Sequence, residues 1–473
     1  MANIQHLLKE NPIGFHVLKI AGELGRDLNI DVYVVGGYVR DIFLGRKLKE
    51  IDFMVVGDGV AFARQLANKL GVKKIVPFPK FSTAKIPYKQ IPLEVAAART
   101  ESYDTHSRKP KEVVYTDLKG DLIRRDFTVN TLAVDLMPDR FGELHDPLGG
   151  IQDLQKKQLR TPLDPNETFH EDPLRMMRAA YFVSALKFEL DSQCLKAIKK
   201  QADRIKIVSQ ERITAELIKI LSTNQPSIGL ILLQDAGLMK YVFPEIDAMF
   251  GLEQSKEWHH KDIFYHTMQV VDNSAKLSDK MELRFAALVH DIAKPVTRRV
   301  NHQKGYTFHG HDAVGERIVE KIAKRLKLPN DLKNYLKNLT MLHLRPISLV
   351  KKEVTDSAVR RLMASAGDKL DDLMILCRAD ITTRNPNRVK KYMHNFEIVE
   401  GKMSSVVERD KMRAFQSPVR GDEIMEICGL KEGKKVGKVK RAIEEAILKG
   451  DVENDYESAK KYLNTIKDNI LTE

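Results

Sequence analysis

The chain has 473 residues, too many for one ordinary hydrophobic core, so its length predicts several domains. With 43% hydrophobic and 30% charged residues, the composition excludes a disordered, fibrous or membrane-spanning protein, and the net charge of +13 favours a polyanionic partner. The N-terminal stretch lacks the features of a signal peptide, and we expect a cytoplasmic protein without membrane contact. Three widely separated cysteines show no spacing typical of zinc or disulfides and are expected to be buried or neutral thiols: Cys194, Cys377 and Cys428.

In chain order, amphipathic spacing first predicts a helix over residues 14–26. From Val32 onward, short β-rich runs surround one helical stretch, GDGVAFARQLANKLG, as expected for a mixed α/β domain. Beyond Phe169 the sequence predicts only helices, broken at Pro or Gly. We therefore predict five segments: an N-terminal helix over 1–29, an α/β head over 30–160, a neck over 161–225, a helical domain over 226–385 and a C-terminal helical region over 386–473.

The first candidate site begins at VVGGYVRD, where a strand ends in Gly36 and Gly37 and passes into a helix. Such a turn lets backbone N–H groups approach a phosphate at the helix N-terminus. Arg40 lies within the first turn, where its planar guanidinium can clamp phosphate oxygens. Asp41 is expected to be a cap or an ion-pair partner.

Two carboxylates follow in KEIDFMVV, where the two-residue period of a strand places Glu50 and Asp52 on one face. Like charges held so close repel each other unless a divalent cation lies between them, and carboxylate oxygens suit Mg²⁺. Glu94 in IPLEVAAAR has the same alternation on another strand. Three such carboxylates predict a two-metal site for nucleotidyl transfer. The alternative for the first pair is a solvent-facing edge strand.

Five motifs in this order resemble the class II tRNA nucleotidyltransferases, the CCA-adding enzymes that are grouped with bacterial poly(A) polymerases: GGYVRDIFLGRKLKEIDFMVVG, LEVAAARTESY, DLIRRDFTVNTLAVDL, DPLGGIQDL and HEDPLRMMRAAYFVSAL. The resemblance implies an α/β polymerase-β-like nucleotidyltransferase head followed by an all-α neck, an HD-type body and a tail. It implies that Gly37 and Arg40 lie near the triphosphate and that Glu50 and Asp52 hold Mg²⁺. Four further residues would surround the ribose and phosphates: Arg124, Arg125, Asp126 and Asn130.

This chain departs from the family pattern at two positions. The family usually has Asp where this chain has Glu50, and the added methylene displaces the carboxylate by about a bond length or more. The family often has Arg where Tyr181 stands, so one triphosphate contact is expected to be missing.

The motif FHEDPLRMMRAAYF offers a surface that can select nucleobases. Spacing by three residues places Asp172, Arg175 and Arg178 on one helical face. Cytosine and adenine each present an amine donor beside a ring acceptor, which a carboxylate and a guanidinium match, whereas uracil and guanine present the wrong order. The resemblance assigns this amino-acid template to Asp172 and Arg175. The alternative is a surface ion pair.

A second constellation of metal-binding side chains lies in five downstream segments: His266, His290, Asp291, His311, His343 and Asp380. Adjacent His and Asp in an apolar helix are unusual. Imidazole and carboxylate together suit transition metals such as Mn, Fe, Ni, Co or Zn. The series resembles an HD phosphohydrolase domain, which implies a metal site and, in some members, hydrolysis of 2′,3′-cyclic phosphates or similar ends. The alternative for each histidine is a core position.

Two further segments are predicted to contact RNA or to move. The stretch VRGDEIMEICGLKEGKKVGKVKRAIEEAILKG has two glycine turns before a basic helix and can grip RNA phosphates, unless it is only a basic surface helix. The stretch DTHSRKPKEVVY is expected to form a flexible loop.

Together these features predict a monomeric or weakly dimeric tRNA nucleotidyltransferase that adds C, C and A to tRNA 3′ ends from CTP and ATP. One alternative is a poly(A) polymerase, which shares the head motifs. Another is an HD phosphohydrolase acting on RNA ends with a degenerate head. A third is an RNA chaperone or scaffold without catalysis.

Overall fold

The computed structural model describes residues 2–48, 50–89, 91–103, 110–253, 262–301, 305–350, 354–383, 385–414, 417–449 and 451–472. The chain divides into two compact units. The first contains Met1–Leu344 and Asp368–Asn385, and the second contains Arg345–Gly367 and Pro386–Glu473. Of the predicted loop over 104–115, residues 110–115 form a strand, and 104–109 lie outside the described residues.

A seven-stranded sheet forms the centre of the N-terminal region. Its strands are β1 (Val32–Val35), β2 (Ile51–Val55), β3 (Val76–Phe78), β4 (Thr83–Tyr88), β5 (Ile91–Ala97), β8 (Ala133–Asp135) and β9 (Leu144–His145), in the order β3-β4-β5-β2-β1-β8-β9. Two-stranded sheets form from β6 (Arg99–Tyr103) with β7 (Pro110–Tyr115), from β10 (Gln158–Leu159) with β11 (Glu189–Leu190), and from β12 (Arg299–Asn301) with β13 (Gly305–Thr307).

The register of the large sheet places the carboxylates of the first site. Strands β2 and β5 pair in parallel, and Asp52 lies directly opposite Glu94. All four residues of β1 are buried, because both faces of the sheet are covered at its centre. The neighbouring β2 is therefore held against a buried strand on one side and β5 on the other.

Six helices accompany this sheet: α1 (Gln5–Leu8), α2 (Pro12–Leu28), α3 (Gly37–Phe43), α4 (Gly59–Lys69), α5 (Leu118–Ile123) and α6 (Gly150–Lys156). The predicted helix over 14–26 corresponds to α2. It begins where Asn11 Oδ1 accepts a hydrogen bond from Gly14 N (3.0 Å), with Pro12 in the first turn, and it ends at Asn29 in a left-handed conformation. One face of α2 is buried against the sheet region.

The remaining helices are α7 (Pro165–Glu171), α8 (Leu174–Leu186), α9 (Ser192–Gln201), α10 (Gln210–Leu221), α11 (Pro226–Asp235), α12 (Met239–Val242), α13 (Pro244–Asp247), α14 (Ile263–Leu277), α15 (Met281–Val289), α16 (Lys294–Thr297), α17 (His311–Arg325), α18 (Asn330–Leu342), α19 (Arg345–Ser348), α20 (Asp356–Ala366), α21 (Leu370–Ala379), α22 (Pro386–Ala414), α23 (Gly421–Cys428), α24 (Lys434–Lys449) and α25 (Tyr456–Thr472). The prediction of helices alone beyond Phe169 is wrong in detail, because β11 and the β12–β13 hairpin also occur. These strands have two or three residues each, too few to give a clear two-residue period.

Each unit has its own hydrophobic core. In the first unit one cluster of buried side chains includes residues from Ile4 to Ala379. In the second unit the basic C-terminal helix α24 buries one face, with Val439 and Ile443 fully covered against Val419 and Leu463. Within the described ranges, no helix combines the length and apolar character that crossing a membrane requires.

Close packing between α2 and the backbone after β8 yields a test of the fold. Gly22 is buried, and a Cβ placed on it would lie 1.8 Å from Leu136 O. We expect Gly22→Ala to destabilise the protein by about 1–3 kcal/mol, because the backbone must shift. Thermal unfolding followed by circular dichroism should show a lower midpoint.

The matched control is Gly401→Ala in α22, where an added Cβ meets nothing within 4 Å. Alanine is favoured over glycine in a helix by about 1 kcal/mol, so this variant should unfold at an equal or higher temperature. A Gly22→Ala protein as stable as the wild type would contradict the packing.

Candidate functional site

A cleft of about 950 Å³ opens beside the sheet and is bounded on its other side by helices α8 and α10. Every nucleotide-binding or catalytic residue predicted for the head and neck lines it: Gly36, Gly37, Arg40, Glu50, Asp52, Glu94, Arg124, Arg125, Asp126, Asn130, Asp172, Arg175 and Arg178. Along the sequence, the first and last of these residues are more than 120 positions apart, roughly the length of a whole domain. The fold therefore gathers the predicted residues into one cavity.

The turn between β1 and α3 forms the floor of the cleft. Gly36 has φ +69°, and a Cβ added there would lie 2.8 Å from Arg125 Nη1 and 4.0 Å from Asp52 Oδ2. Glycine is thus required for the backbone conformation, and a Cβ at this position would also displace the Arg125 guanidinium. Arg40 is buried, donates to Asn130 Oδ1 (2.7 Å) and pairs with Asp41 (2.9 Å), so Asp41 has the second of its two expected roles, that of an ion-pair partner.

Three carboxylates lie at the neighbouring strands. Asp52 in β2 faces Glu94 in β5, whereas Glu50 precedes β2 by one residue rather than lying within the strand as predicted. Lys85 Nζ contacts Glu94 Oε2 at 3.1 Å. In the described part of the chain, these three carboxylates do not form a group in which all possible metal-ligand atoms lie within 4.8 Å of one another.

Electrostatics nevertheless couple these carboxylates. The pKa of Asp52 is raised to about 7, chiefly by burial and then by the charge of Glu50, while Arg125 opposes the rise. Neighbouring carboxylates disfavour the ionised form of Asp52. A cation among these carboxylates would stabilise that ionised form. The donor set, three hard oxygen ligands beside the glycine turn, fits Mg²⁺.

Asp126 connects the head to the neck. Its Oδ1 accepts hydrogen bonds from Phe127 N (2.8 Å) and Asn130 Nδ2 (2.9 Å), and its Oδ2 accepts one from Arg178 Nε (2.6 Å). Burial alone would raise the pKa of Asp126, but Arg178 and Asn130 hold it below its ordinary value. The carboxylate is therefore charged and links the sheet region to α8.

The expected helical face of Asp172, Arg175 and Arg178 is partly wrong. Asp172 directly follows the end of α7 at Glu171, and α8 begins two residues later at Leu174, because Pro173 separates the two helices. Asp172 Oδ1 instead accepts from Leu174 N (3.1 Å). All three side chains still line the cleft.

Arg175 is held firmly in the cleft wall. It is 8% exposed and donates to Thr168 O (3.2 Å), to Glu171 Oε2 (3.2 Å) and to Arg124 O. These bonds join α7, α8 and the end of α5. The guanidinium is thus oriented by the protein before any ligand enters.

Asp121, which the sequence analysis missed, orients two arginines of the cleft. It is 1% exposed, and its oxygens accept from Arg124 Nε (3.0 Å) and Arg125 Nη2 (2.9 Å). Burial would raise the pKa of Asp121, but the two guanidiniums hold it below its ordinary value. Its spacing of three and four residues from these arginines, which directly follow the short helix α5, was the available signal.

Helix α10 supplies further residues that the sequence analysis missed. Arg212, Glu216 and Lys219 line the cleft, and their spacing of four and three residues places them on one helical face. Arg99, the first residue of β6, also lines it and donates to Phe81 O (2.6 Å). Nothing local marked these residues, because their role depends on which elements pack around the cleft.

The second constellation also converges. Two groups of side chains have ligand atoms within 4.8 Å of one another: His266, His290 and Asp380, and Asp291, His311 and His343. Asp291 lies between the groups, with Oδ1 3.3 Å from His311 Nε2 and Oδ2 3.1 Å from His290 Nε2. All six predicted residues therefore surround one small volume.

Hydrogen bonds fix the orientation of the imidazoles. His290, His311 and His343 each donate Nδ1–H to a backbone carbonyl, those of Ala287 (2.8 Å), Phe308 (2.7 Å) and Thr340 (2.7 Å). Each Nε2 is consequently directed at the other ligands, and it can bind a metal ion once it carries no proton. This anchoring of the remote nitrogen is typical of metal-bound histidines. The residues fit two adjacent metal ions, each with two imidazoles, sharing the Asp291 carboxylate.

Charges around Asp291 support the same arrangement. Burial would raise the pKa of Asp291, but His290 and Lys294 hold it well below its ordinary value. Lys294, another residue missed from the sequence, places Nζ 2.5 Å from Asp291 Oδ2. His290 and Asp291 do not lie within an apolar helix as expected, because α15 ends at Val289.

Comparisons with known proteins identify the parts of the chain. Residues 32–160 match the family described as Poly A polymerase head domain, residues 187–250 match Probable RNA and SrmB-binding site of polymerase A, and residues 263–385 match HD domain. The Multifunctional CCA protein of Vibrio campbellii is 32% identical over 369 residues, which cover 74% of this chain and 85% of that protein.

The chain belongs to the multifunctional CCA protein family. Among solved structures, a CCA-adding enzyme in apo form II aligns with a TM-score of 0.61 at 23% identity, covering 98% of this chain and 99% of that one. The Thermotoga maritima CCA-adding enzyme complexed with tRNA aligns with a TM-score of 0.57 at 21% identity and the same coverage. These structures share the fold. The predicted order of domains, a nucleotidyltransferase head, a helical neck and an HD domain, is confirmed.

The raised pKa of Asp52 leads to a pH-dependent prediction for this family member. Between pH 4 and 7 the folded protein retains a proton at Asp52 that the unfolded chain loses, so the stability contributed by this group falls as pH rises. With a chelator present, we expect Asp52→Asn to raise the unfolding temperature at pH 8 and to change it little at pH 4.

The control is Asp139→Asn, because the Asp139 side chain is 70% exposed and pairs only at the surface with Arg140. This variant should unfold like the wild type at both pH values. A lower unfolding temperature of Asp52→Asn at pH 8 would contradict the coupling of the carboxylates.

The HD centre makes a separate prediction about metal binding. Calorimetric titration of the metal-free protein with Mn²⁺ or Ni²⁺ should show two ions per chain. Because Asp291 lies between both groups, Asp291→Ala should weaken both binding events by at least about tenfold. His311→Ala should weaken mainly one.

Two controls separate this centre from the rest of the protein. His394→Ala should leave binding unchanged, since the His394 side chain is 69% exposed and lies in the second unit. Asp52→Asn should leave the HD binding events unchanged. Undiminished binding by Asp291→Ala would show that the converging side chains do not hold a metal.

Proposed function

We propose that the protein is a tRNA nucleotidyltransferase that adds C, C and A to tRNA 3′ ends from CTP and ATP. The observation that carries this proposal is the convergence, in one cleft, of a glycine turn, three carboxylates and the charged neck residues Asp172, Arg175 and Arg178. Relatives named Multifunctional CCA protein and solved CCA-adding enzymes support it.

The reaction is an attack of the RNA 3′ hydroxyl on the α-phosphorus of a nucleoside triphosphate. A new phosphodiester bond forms, the bond to the pyrophosphate breaks, and the hydroxyl proton is lost. Mg²⁺ held by Glu50 and Asp52, with Glu94 nearby, would favour the deprotonated hydroxyl and neutralise the leaving group.

The chain's own residues place the nucleotide. The backbone at Gly36 and Gly37 and the Arg40 guanidinium would bind the triphosphate at the start of α3. Asp126 and Asn130 would meet the ribose hydroxyls. Because the Asp126 carboxylate and Arg40 both bond Asn130, ribose and phosphate would be positioned by one connected network.

Selection of the base falls to the neck. Asp172 would accept a hydrogen bond from the exocyclic amine of cytosine or adenine, and Arg175 would donate to the adjacent ring acceptor. The bonds that hold Arg175 in the cleft wall favour this role, since a rigid donor discriminates better than a mobile one.

The HD centre supports a second activity, metal-dependent hydrolysis of phosphoester bonds at RNA ends. The observation that favours it is the bridging carboxylate between two imidazole groups, with Lys294 at its side. Two adjacent metal ions can stabilise the attacking and leaving oxygens of such a reaction. The metal at this centre is proposed to be a transition metal.

An incorporation assay tests the main proposal. Transcripts of tRNA lacking the terminal CCA are incubated with CTP, ATP, or both, and the products are resolved at single-nucleotide length. We expect two C residues from CTP and one terminal A when ATP is added. Long A tracts from ATP alone, without use of CTP, would instead establish a poly(A) polymerase.

Variants assign the activity to one site. Asp52→Ala should lower incorporation by about 10²- to 10³-fold or more, because a group that stabilises developing charge is lost. His290→Ala and Asp291→Ala should leave it intact. The reverse pattern would favour the phosphohydrolase with a degenerate head, and tRNA binding without any turnover would favour a scaffold.

The domain boundaries, the RNA-binding role of residues 419–450, the cytoplasmic location and the monomeric or weakly dimeric state stay predictions. The basic helix α24 offers Lys435, Lys438 and Lys440 for phosphate contacts in the second unit.

A further inference from the structure

Glu216 in α10 is a buried carboxylate that the reaction described above does not use. The residue is 4% exposed and lines the cleft. Its Oε1 accepts from Lys219 Nζ (2.9 Å), but its Oε2 is covered and has no hydrogen-bond partner among the described residues. A buried carboxylate oxygen without a hydrogen-bond partner is unfavourable, so its presence calls for a partner that another state of the protein supplies.

Arg178 is the cation placed to become that partner. Helices α8 and α10 pack against each other, and both residues line the same cleft. The Arg178 guanidinium lies over the Phe182 ring (5.2 Å to the centroid), and its Nε donates to Asp126 Oδ2. Its pKa is raised: burial would lower it, but Asp126 and then Glu216 outweigh that effect. Arg178 therefore lies in the field of two carboxylates, one from the head and one from the neck.

These two carboxylates differ in how far they are already satisfied. Asp126 Oδ1 accepts two hydrogen bonds within the protein, and Oδ2 holds Arg178. Since a carboxylate oxygen accepts about two hydrogen bonds, a ribose hydroxyl at Asp126 would have to share Oδ2 with Arg178. Arg178 already approaches Oδ2 through both Nε and Nη2, at 2.6 Å each, so a ribose hydroxyl at Oδ2 would compete with it, whereas Glu216 Oε2 has no partner among the described residues.

We propose that Glu216 is a positioning residue that takes up the Arg178 guanidinium when Asp126 engages the nucleotide, and so fixes Arg178 against the incoming base. This inference rests on the proposed nucleotidyl transfer. Held between Glu216 and the Phe182 ring, Arg178 presents its remaining donors to the base beside Arg175. Cytosine and adenine offer a ring-nitrogen acceptor at that position, whereas the corresponding nitrogen of uracil and guanine carries a proton.

The test measures discrimination rather than activity alone. We compare kcat/KM for CTP, ATP, UTP and GTP on tRNA lacking its terminal nucleotides. Glu216→Gln should lower the ratio of CTP to UTP incorporation by about tenfold, mainly by raising KM for CTP, because the amide holds the guanidinium less firmly. Glu216→Asp retains the charge and should keep a higher ratio than Glu216→Gln.

A double-mutant cycle with Arg178→Lys tests whether Glu216 acts through Arg178. Adding Glu216→Gln to Arg178→Lys should cause little further loss of discrimination, because the two residues work as a pair. Effects that multiply, an equal loss for all four nucleotides, or an equal loss in the Asp and Gln variants would overturn the proposal.

The matched control is Glu211→Gln on the same helix, since its side chain is 62% exposed and lies 3.8 Å from Lys327, away from the cleft lining. It should keep the wild-type ratio, and thermal unfolding verifies that each variant is folded. If the wild type is active and selective but Glu216→Gln has the same ratio of CTP to UTP incorporation, only the role of Glu216 is overturned. A wild type that incorporates neither C nor A overturns the proposed function, and this inference with it.

Discussion

The repulsion among Glu50, Asp52 and Glu94 is the constraint on which the nucleotidyltransferase head depends. Parallel pairing of β2 with β5 holds two of these carboxylates opposite each other, and burial raises the pKa of Asp52 to about 7. Such a site is unfavourable for folding, and the surrounding sheet, with its fully buried β1, stabilises it. The arginines of the cleft then serve two purposes: they offset this negative charge and they meet the phosphates of the substrate.

The two candidate sites solve the problem of buried charge in different ways. In the head, side-chain hydrogen bonds connect two guanidiniums through an amide and a carboxylate, from Arg40 to Asn130, Asp126 and Arg178. In the HD centre, backbone carbonyls fix three imidazoles from behind, and the carboxylate of Asp291 lies between them. The first arrangement can exchange partners as a substrate enters, whereas the second is rigid and suits a permanently bound ion.

Local sequence predicted those features that local geometry determines. The glycine turn at Gly36, the strand alternation around Asp52 and Glu94, and the histidines of the HD series are each visible within a few residues. The sequence predictions are wrong where a helix ends within the predicted periodic pattern. Pro173 ends the helical face expected for Asp172, and α15 ends at Val289, just before His290. Contacts such as that of Arg178 with Asp126, 52 residues apart, depend on tertiary packing and leave no spacing signal. For the same reason Glu216 and Lys219 were missed, although both lie in an evident helix.

Asp121 illustrates how indirectly a binding surface can be determined. This buried carboxylate is absent from the lining of the cleft, yet it orients both Arg124 and Arg125, which do line it. The positions of these two positive charges are therefore determined by a residue behind the surface. A related protein could keep every substrate-facing side chain and still lose the orientation of both guanidiniums through one change at this hidden position, so a list of contact residues underestimates which positions evolution must preserve.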